Sequence, residues 1–206
     1  MNFWDQNFST PGYKYGTSPN AFLSQQSSRL RGPCDVLLPG DGEGRNAVWL
    51  AEQGHHVTSM DNSQVGLKKA QDLARKRGVS IVTVHADLAD WTPEPDSADA
   101  LVLIYLHLPP SMRAGAHKRL LQALRPNGLV VIEAFHPLQL NHTSGGPKDP
   151  AMLYTLAMLR EDFAGLHELQ AEEAETLLSE GPGHQGLAHV TRWVAQRGGT
   201  RMIQVD

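Results

Sequence analysis

The 206-residue chain contains a single cysteine, Cys34, whereas an internal disulfide needs two. A small secreted scaffold held together by disulfides is therefore excluded. The sequence also lacks any apolar run near the ~20 residues of a membrane span. Its first residues, Met1 to Asp5, have neither the basic nor the apolar segment of a secretory signal. We therefore expect a soluble protein in the cytoplasm.

An excess of basic residues is missing too. The 18 Lys and Arg stand against 22 Asp and Glu, which gives a net charge of −4. This balance argues against nucleic acid or an anionic membrane as the main partner. The chain has ten histidines, but neighbours such as His55 and His56, or His184 and His189, do not have the spacing of a known zinc site. We therefore predict no metal.

Length and composition predict one domain over residues 1–206, with its own hydrophobic core. Residues 1–32 differ from the rest because they hold six of the 13 aromatic side chains and two turn signals, Pro11-Gly12 and Pro19-Asn20. We predict that they form an arm packed on the body, with a short helix near Pro19 to Arg31. Residues 33–137 are then the core, and residues 138–206 a further loop, helix and pair of strands.

From Asp35 onward, short apolar runs alternate with helical patterns that end at glycine. The predicted strands are Asp35–Pro39, His56–Met60, Ser80–His85, Asp99–Tyr105 and Leu129–Phe135. The predicted helices are Asn46–Gln53, Val65–Arg77 and Ser111–Leu124, followed by a turn at Arg125–Gly128. Later come a helix over Ala151–Phe163 and two strands, Leu166–Glu175 and Ala188–Gln196. This alternation predicts a parallel sheet covered by helices on both faces.

Three alternating glycines, Gly40, Gly42 and Gly44, separate the first predicted strand from its helix. Glycine allows a tight turn and lets a ligand approach the backbone. Acidic residues follow the next two strands, Asp61 about 20 residues downstream and then Asp87. Since the carboxyl ends of parallel strands share one edge, we expect these features to meet there. A sharp turn with no ligand, and capping roles for both carboxylates, remain alternatives.

Two nucleoside cofactors fit such an edge. A nicotinamide dinucleotide needs the spacing G-x-G-x-x-G, but Arg45 stands at the position of its last glycine. Glu43, beside the helix start, would also repel a pyrophosphate. The observed G-x-G-x-G suits an uncharged ribose and a zwitterionic amino-acid tail better, which indicates S-adenosylmethionine.

With these residues the chain resembles the class I S-adenosylmethionine-dependent methyltransferases, and more narrowly their tellurite-resistance (TehB-like) branch. The stretches that carry the resemblance are Trp4-Asp5 with Phe8, Tyr13–Gly16, Pro19-Asn20, Gly42–Ala47, Val57–Asp61, Asp87-Leu88, Leu106–Pro109, Gly145–Asp149 and His184–Gly186. The resemblance implies an α/β, Rossmann-like, seven-stranded and mostly parallel sheet of order 3-2-1-4-5-7-6, with the last strand antiparallel. It also implies methyl transfer by in-line displacement.

The resemblance further implies where the cofactor contacts lie. It gives the glycines the methionine end, Asp61 the ribose hydroxyls, and Asp87 with Leu88 the adenine. The full predicted set is Gly40, Asp41, Gly42, Gly44, Asn46, Asp61, Asn62, Asp87 and Leu88. One position departs from the family, which often has an acidic residue where this chain has Leu38. Asp41 is the nearest replacement.

A sulfonium donor is already activated, so the protein mainly aligns and desolvates the reactants. A general base is needed only if the acceptor arrives protonated. Tyr105 and His107, after the fourth strand, are the predicted catalytic residues; alternatively, the ring of His107 packs under the turn at Pro109-Pro110. The predicted substrate or lid residues are Trp4, Tyr13, Tyr15, Arg45, His136 and Lys148. Each has an alternative role in packing or as a solvated side chain, or, for Arg45 and Lys148, in a salt bridge.

The expected acceptor is a small molecule, with thiols and selenium or tellurium oxyanions as soft nucleophiles that need little help. Two other functions remain open. The chain could bind S-adenosylmethionine without catalysis, or, as a weaker alternative, be a nicotinamide-dependent oxidoreductase. The sequence leaves a monomer and a homodimer equally open.

Overall fold

The computed structural model describes residues 2–199 and contains one seven-stranded sheet. The strands are β1 (Asp35–Pro39), β2 (His56–Asp61), β3 (Val82–His85), β4 (Ala98–Ile104), β5 (Leu124–Phe135), β6 (His167–Glu180) and β7 (His184–Gln196). The helices are α1 (Phe3–Phe8), α2 (Ala21–Gln26), α3 (Arg45–Glu52), α4 (Gln64–Arg77), α5 (Pro110–Leu121) and α6 (Leu156–Asp162). Short 3-10 turns lie at Ser27–Arg29, Pro137–Asn141 and Pro150–Met152.

The order of the strands is β3-β2-β1-β4-β5-β7-β6, as predicted. Neighbours from β3 through β5 pair in parallel, whereas β7 pairs antiparallel with both β5 and β6. The central strands are buried on both faces, since their residues alternate between two apolar cores. One core contains Leu101, Leu120 and Trp193 beside α5 and α6, and the other contains Leu38 and Leu50 beside α2 and α3.

Several predicted boundaries differ from those observed. The arm begins with a helix, α1, which is absent from the prediction; the Asn2 side chain caps it by accepting a hydrogen bond from the Asp5 amide. The predicted helices near Pro19 to Arg31 and over Ala151–Phe163 are replaced by the shorter α2 and α6, each flanked by a 3-10 turn. Strands β6 and β7 instead extend to Glu180 and His184, so residues 181–183 alone connect them.

The predicted turn at Arg125–Gly128 is wrong as a strand boundary. These residues lie inside β5, where the register with β4 shifts between Ala98 and Ala100. Asn127 has a φ of 65°, which produces the local bulge. The amide of Asn127 donates to the carbonyl of Arg197, the residue that follows β7, at 3.0 Å, and this bond holds the bulge in place.

Residues predicted to form the site lie along the carboxyl edge of the parallel strands. The glycine turn follows β1, Asp61 ends β2, Tyr105 follows β4, and the β6–β7 hairpin turns at the same edge. The arm crosses this edge from α4 to the hairpin, where the Gly183 amide donates to the Lys14 carbonyl at 2.8 Å. Across residues 2–199, no helix is long and apolar enough to span a membrane.

Candidate active site

The glycine turn is closely packed by its own protein. Gly40, Gly42 and Gly44 all have positive φ, between 62° and 86°. A Cβ on Gly44 would lie 2.5 Å from the Cβ of Ala70 in α4, and one on Gly42 would lie 2.9 Å from the Phe8 ring. The turn therefore needs glycine for its backbone conformation and for the close approach of α4 and the arm.

Asp61 links the glycine turn to the start of α4 through its two carboxylate oxygens. One oxygen accepts the Gly42 amide at 2.9 Å, and the other accepts the Ser63 amide at 2.8 Å. Burial raises the pKa of this carboxyl group, although these hydrogen bonds oppose the rise. The capping alternative for Asp61 is wrong, because the N-cap of α4 is Ser63, whose hydroxyl accepts the Gly66 amide. The contact of Asp61 with a ribose stays a prediction.

The predicted adenine side of the site is partly occupied by local contacts. Asp87 is exposed, and its side chain accepts the Ala89 amide at 2.8 Å, as the capping alternative expects. Leu88 is buried in the core beside α5. The Asn62 carbonyl accepts a hydrogen bond from the Asn2 side chain, which brings the start of the arm onto the end of β2.

The side chain of Leu38 lies in the apolar core, whereas that of Asp41 has a polar neighbour. Leu38 is 2 % exposed and packs in the core with Leu50, so the usual acidic position of the family contributes no polar group. Asp41 accepts a hydrogen bond from the Ser59 hydroxyl at 3.1 Å. Burial and the nearby charge of Asp61 raise the pKa of Asp41 to about 7. At neutral pH this carboxyl group is therefore partly protonated.

Four buried side-chain polar atoms lack a hydrogen-bond partner within the described part of the chain. Three of them belong to residues of the glycine turn or its surroundings: Asp41 Oδ1, Arg45 Nη1 and Tyr105 OH. Unpaired buried polar groups are costly, so they indicate groups that a ligand can satisfy. The three are an acid, a cation and a hydroxyl, and nearby protein groups still act on two of them. The Ala47 amide opposes the burial that raises the pKa of Asp41, and a hydrogen-bond interaction with Glu133 adds to the burial that raises the pKa of Tyr105.

Tyr105 has a strained backbone at the end of β4. Its φ is 52°, an uncommon value for a residue with a large side chain. The ring stacks on Phe135 at 4.6 Å and meets the His184 ring edge-on at 4.5 Å. Burial and the charge of Glu133 raise the pKa of Tyr105 well above its usual value. The hydroxyl is therefore protonated and can donate a hydrogen bond.

His107 is held by backbone groups at both ring nitrogens. Nδ1 lies 2.7 Å from the Met152 carbonyl, and Nε2 accepts the Phe135 amide at 3.2 Å. Burial lowers the pKa of His107 to about 4. These contacts join the ring to Met152 and Phe135 rather than to the turn at Pro109-Pro110, and a proton could reach Nε2 only after a backbone hydrogen bond breaks. The catalytic role of His107 is therefore less favoured by the geometry.

The predicted lid residues divide into two groups. Tyr15 lies in the site, with its ring 4.4 Å from the His184 ring. Trp4 stacks on Phe8, 5.4 Å away, above the glycine turn. Tyr13 packs against α3 and α4, and its hydroxyl donates to the Lys69 carbonyl at 3.3 Å. Tyr13 therefore serves the packing of the arm, whereas a role of Trp4 and Tyr15 as a lid stays a prediction.

The other predicted substrate contacts lie at different distances from the turn. Arg45 is buried and donates to Glu180 at 2.9 Å, which is the salt bridge that its alternative role expects. His136 caps the 3-10 turn after β5 and lies 3.7 Å from a carboxylate oxygen of Glu173. Lys148 is exposed on the loop before α6. Only Arg45 joins the glycine turn directly.

A buried polar network under the arm is missing from the prediction. Glu133 in β5 is 1 % exposed and accepts Arg192 Nε at 2.6 Å. The Asn20 side chain donates to both Glu133 and Glu180, and the Asn20 amide donates to the Asn46 side chain at 2.9 Å. Glu133 is the only charged residue in the apolar run Leu129–Phe135, and a lone charge in such a run could have indicated a buried polar site. No sequence signal links Glu180 to it, since the two are joined only by the fold.

The reversed β7 and the glycine turn after β1 define the class: a Rossmann-like domain with the strand order of a class I methyltransferase. Residues 36–128 match the family described as methyltransferase domain. This match covers 93 of the 206 residues, and the chain is similar in sequence to S-adenosylmethionine-dependent methyltransferases, TehB among them.

Two curated proteins are similar in sequence. The 2-heptyl-1-hydroxyquinolin-4(1H)-one methyltransferase of Mycobacteroides abscessus is 26% identical over 116 residues, which cover 55% of this chain and 51% of that protein. The probable S-adenosyl-L-methionine-dependent methyltransferase TehB of Haemophilus influenzae is 29% identical over 75 residues, 36% of this chain and 26% of that protein. The chain thus spans about half, or less, of the curated relatives it matches.

Solved structures share the fold. One of them was solved for work on the conversion of a disulfide bond into a thioacetal group during echinomycin biosynthesis. It has a TM-score of 0.75 at 21% identity, and the match covers 94% of this chain and 87% of the other chain. TehB from Haemophilus influenzae has a TM-score of 0.69 at 17% identity, covering 95% and 66%. The 1,6-didemethyltoxoflavin-N1-methyltransferase of Burkholderia thailandensis, with S-adenosylhomocysteine bound, has a TM-score of 0.62 at 20% identity, covering 85% and 76%.

Proposed function

We propose that the protein binds S-adenosylmethionine at the glycine turn and transfers its methyl group to a small-molecule acceptor. The observation that carries the proposal is the set of three unpaired buried atoms, on Asp41, Arg45 and Tyr105, around a glycine turn of the methyltransferase family. When bound, S-adenosylmethionine supplies a methyl group already activated by its positive sulfur. The chain's own part is to bind, align and exclude water.

In this proposal, different side chains of the site hold different parts of the cofactor. Arg45 Nη1 would hold the carboxylate of the methionine tail, and Asp41 its amino group. Asp61 would accept the ribose hydroxyls only by sharing oxygens that now accept two backbone amides. The arm, whose Phe8 is 3 % exposed against the turn, would close the site from water.

The acceptor is proposed from chemistry and from the relatives together. The relatives named above act on a hydroxyquinolone and on 1,6-didemethyltoxoflavin. Thiols and selenium or tellurium oxyanions are the soft nucleophiles that need the least assistance. We propose that the enzyme acts in the cytoplasm. The acceptors to be tested are 2-heptyl-1-hydroxyquinolin-4(1H)-one, 1,6-didemethyltoxoflavin, dithiothreitol, selenite and tellurite.

Calorimetric titration with S-adenosylhomocysteine tests cofactor binding. We expect saturable binding by the wild type, weakened at least tenfold in Asp61→Asn. The matched control is Asp99→Asn, because Asp99 also accepts a backbone amide, that of Asp35 at 2.9 Å, but at the opposite edge of the sheet. A folded wild type that does not bind S-adenosylhomocysteine would refute the proposal. Equal weakening in both variants would refute the assignment of Asp61.

A further inference from the structure

A carboxylate–histidine pair lies beneath the arm, at the same edge as the glycine turn. His184 Nδ1 is 3.3 Å from Glu180 Oε2, and the same oxygen accepts Arg45 Nη2 at 2.9 Å. Arg45 directly follows Gly44, so this ion pair ties the β6–β7 hairpin to the glycine turn. The imidazole is therefore held next to the proposed cofactor site.

Aromatic rings surround this imidazole. The centroids of Tyr15, Tyr105 and Phe135 lie 4.4, 4.5 and 5.2 Å from that of His184. The glycines of the loop after β5 complete the wall, since a Cβ on Gly145 would lie 2.7 Å from the His184 ring. His184 is 4 % exposed. An acceptor that reaches it would therefore be enclosed with it and shielded from water.

The pair fixes which nitrogen is free to accept a proton. A carboxylate can only accept, so Nδ1 of the neutral ring carries the proton and Nε2 keeps its lone pair. Burial, and then the charge of Arg45, lower the pKa of His184, against the opposing effects of Glu180 and Glu133. Burial raises the pKa of Glu180, but its hydrogen bond with His184 and the charge of Arg45 bring it to about 2. The other titratable groups facing the ring are Tyr15, Tyr105 and His107.

We propose that His184 Nε2 is the general base for methyl transfer and that Glu180 is its positioning residue. The inference rests on the proposed function and specifies its acceptor: a small molecule that must lose a proton from an O–H, S–H or N–H group. As the acceptor's lone pair bonds to the methyl carbon, the carbon–sulfur bond breaks and its electron pair stays on sulfur. The acceptor's proton passes to Nε2, and the imidazolium pairs with Glu180 until it releases the proton to solvent.

Neither of two other buried histidines meets these conditions. Both ring nitrogens of His107 bond to backbone groups. His117 also pairs with a carboxylate, Asp162 Oδ2 at 2.8 Å, but it lies between α5 and α6 among Tyr154 and Phe163. His117 is therefore a matched control, because its loss removes a buried carboxylate–histidine pair away from the turn.

The tautomer can be tested without any acceptor. Nitrogen-15 NMR of the full chain, with the His184 signal assigned through His184→Gln, should show a proton on Nδ1 and a bare Nε2 at pH 7.5. Glu180→Gln should change this tautomer or shift the titration of His184, with no change at His117. A proton on Nε2 in the wild type, or an imidazolium at pH 7.5, would overturn the proposal whatever the activity.

Kinetics then separate a base from a structural residue. With 2-heptyl-1-hydroxyquinolin-4(1H)-one or dithiothreitol, His184→Gln should lower kcat by about 10²–10⁴-fold below the acceptor's own pKa. The loss should shrink to a few-fold above that pKa, where the acceptor arrives ionised. His117→Gln should change kcat little at either pH. An equal loss for His184→Gln at both pH values, or a similar loss for His117→Gln, would overturn the base role.

The failures of the two proposals can be told apart. Binding of S-adenosylhomocysteine with methyl transfer unaffected by His184→Gln would leave the proposed function standing and refute the base. A folded wild type that binds no S-adenosylhomocysteine would refute the proposed function, and with it the role of His184 in methyl transfer. If no probe is methylated, the NMR result decides.

Discussion

Replacing Gly44 by alanine should test how the glycine turn is built. Gly44 has a φ of 86°, and a Cβ there would lie 2.5 Å from the Cβ and 2.7 Å from the Cα of Ala70. The left-handed conformation costs an alanine about 1–2 kcal/mol. Overlap with the backbone of α4 adds roughly 1–3 kcal/mol, because a helix cannot swing away as a flexible side chain can. We expect Gly44→Ala to lose about 2–5 kcal/mol.

Gly54 provides the matched control at the other end of α3. Its φ is 90°, close to that of Gly44, but a Cβ there would meet nothing within 4 Å. Gly54→Ala should therefore lose only the conformational part, about 1–2 kcal/mol, partly offset by the lower entropy of the unfolded chain. The difference between the two variants isolates the contact between the turn and α4.

Urea unfolding followed by circular dichroism measures both variants. With a slope of about 1–3 kcal/mol per molar urea, the midpoint of Gly44→Ala should fall clearly below that of Gly54→Ala. Free energies of unfolding that agree within about 0.5 kcal/mol would refute the packing argument. The glycine at position 44 would then be required for its conformation alone.

Two further predictions concern the buried acid and the arm. Burial raises the pKa of Asp41 from 3.8 to about 7, so the folded state keeps a proton that the unfolded chain releases, and stability from this group falls as the pH rises from about 4 to about 7. In Asp41→Asn, the fall in the urea midpoint between pH 5 and pH 8 that comes from this group should disappear. In the control Asp90→Asn, which changes an exposed carboxylate, the fall should remain. An unchanged fall in Asp41→Asn would contradict the raised pKa of Asp41. Ser63 caps α4 and also donates to Asp5 at 2.7 Å, so Ser63→Ala should cost about 1 kcal/mol and speed amide exchange in α1. Thr155→Ala, at the N-cap of α6, is its control, and equal exchange in α1 for both variants would argue against this link.

The sheet could be predicted because its signals are local. Each parallel strand is a short apolar run that ends at a turn residue, as in Asp35–Pro39, which is observed with the predicted bounds. The turn predicted at Arg125–Gly128 was wrong because the conformation of this segment depends on a contact that is distant in the sequence. Its residues have strong turn propensity, yet the amide of Asn127 bonds to a carbonyl 70 positions later in the chain, Arg197. Long-range pairing with β7 therefore keeps the segment within the strand.

The site could be predicted only in part, for a related reason. Gly40, Gly42 and Gly44 and the acid at Asp61 are close in sequence and were found, and the geometry places them together. Glu180 and His184 are more than 130 residues from Arg45, and no periodicity or motif spacing connects them. Charge balance in the folded core brings them together, since a buried cation needs a buried partner. Such a partner is visible only after the hairpin has folded over the turn.

Glu43 shows how the turn and the arm depend on one another. In the sequence it reads as a charge that would repel a pyrophosphate. In the structure it is 4 % exposed and already paired, accepting the Lys14 amide at 2.6 Å and the Lys69 ammonium at 2.8 Å. Its charge therefore fastens the arm across the turn. Tyr15, which follows Lys14 in the chain, contacts the ring of His184, so the contacts of Glu43 hold the arm next to the proposed base.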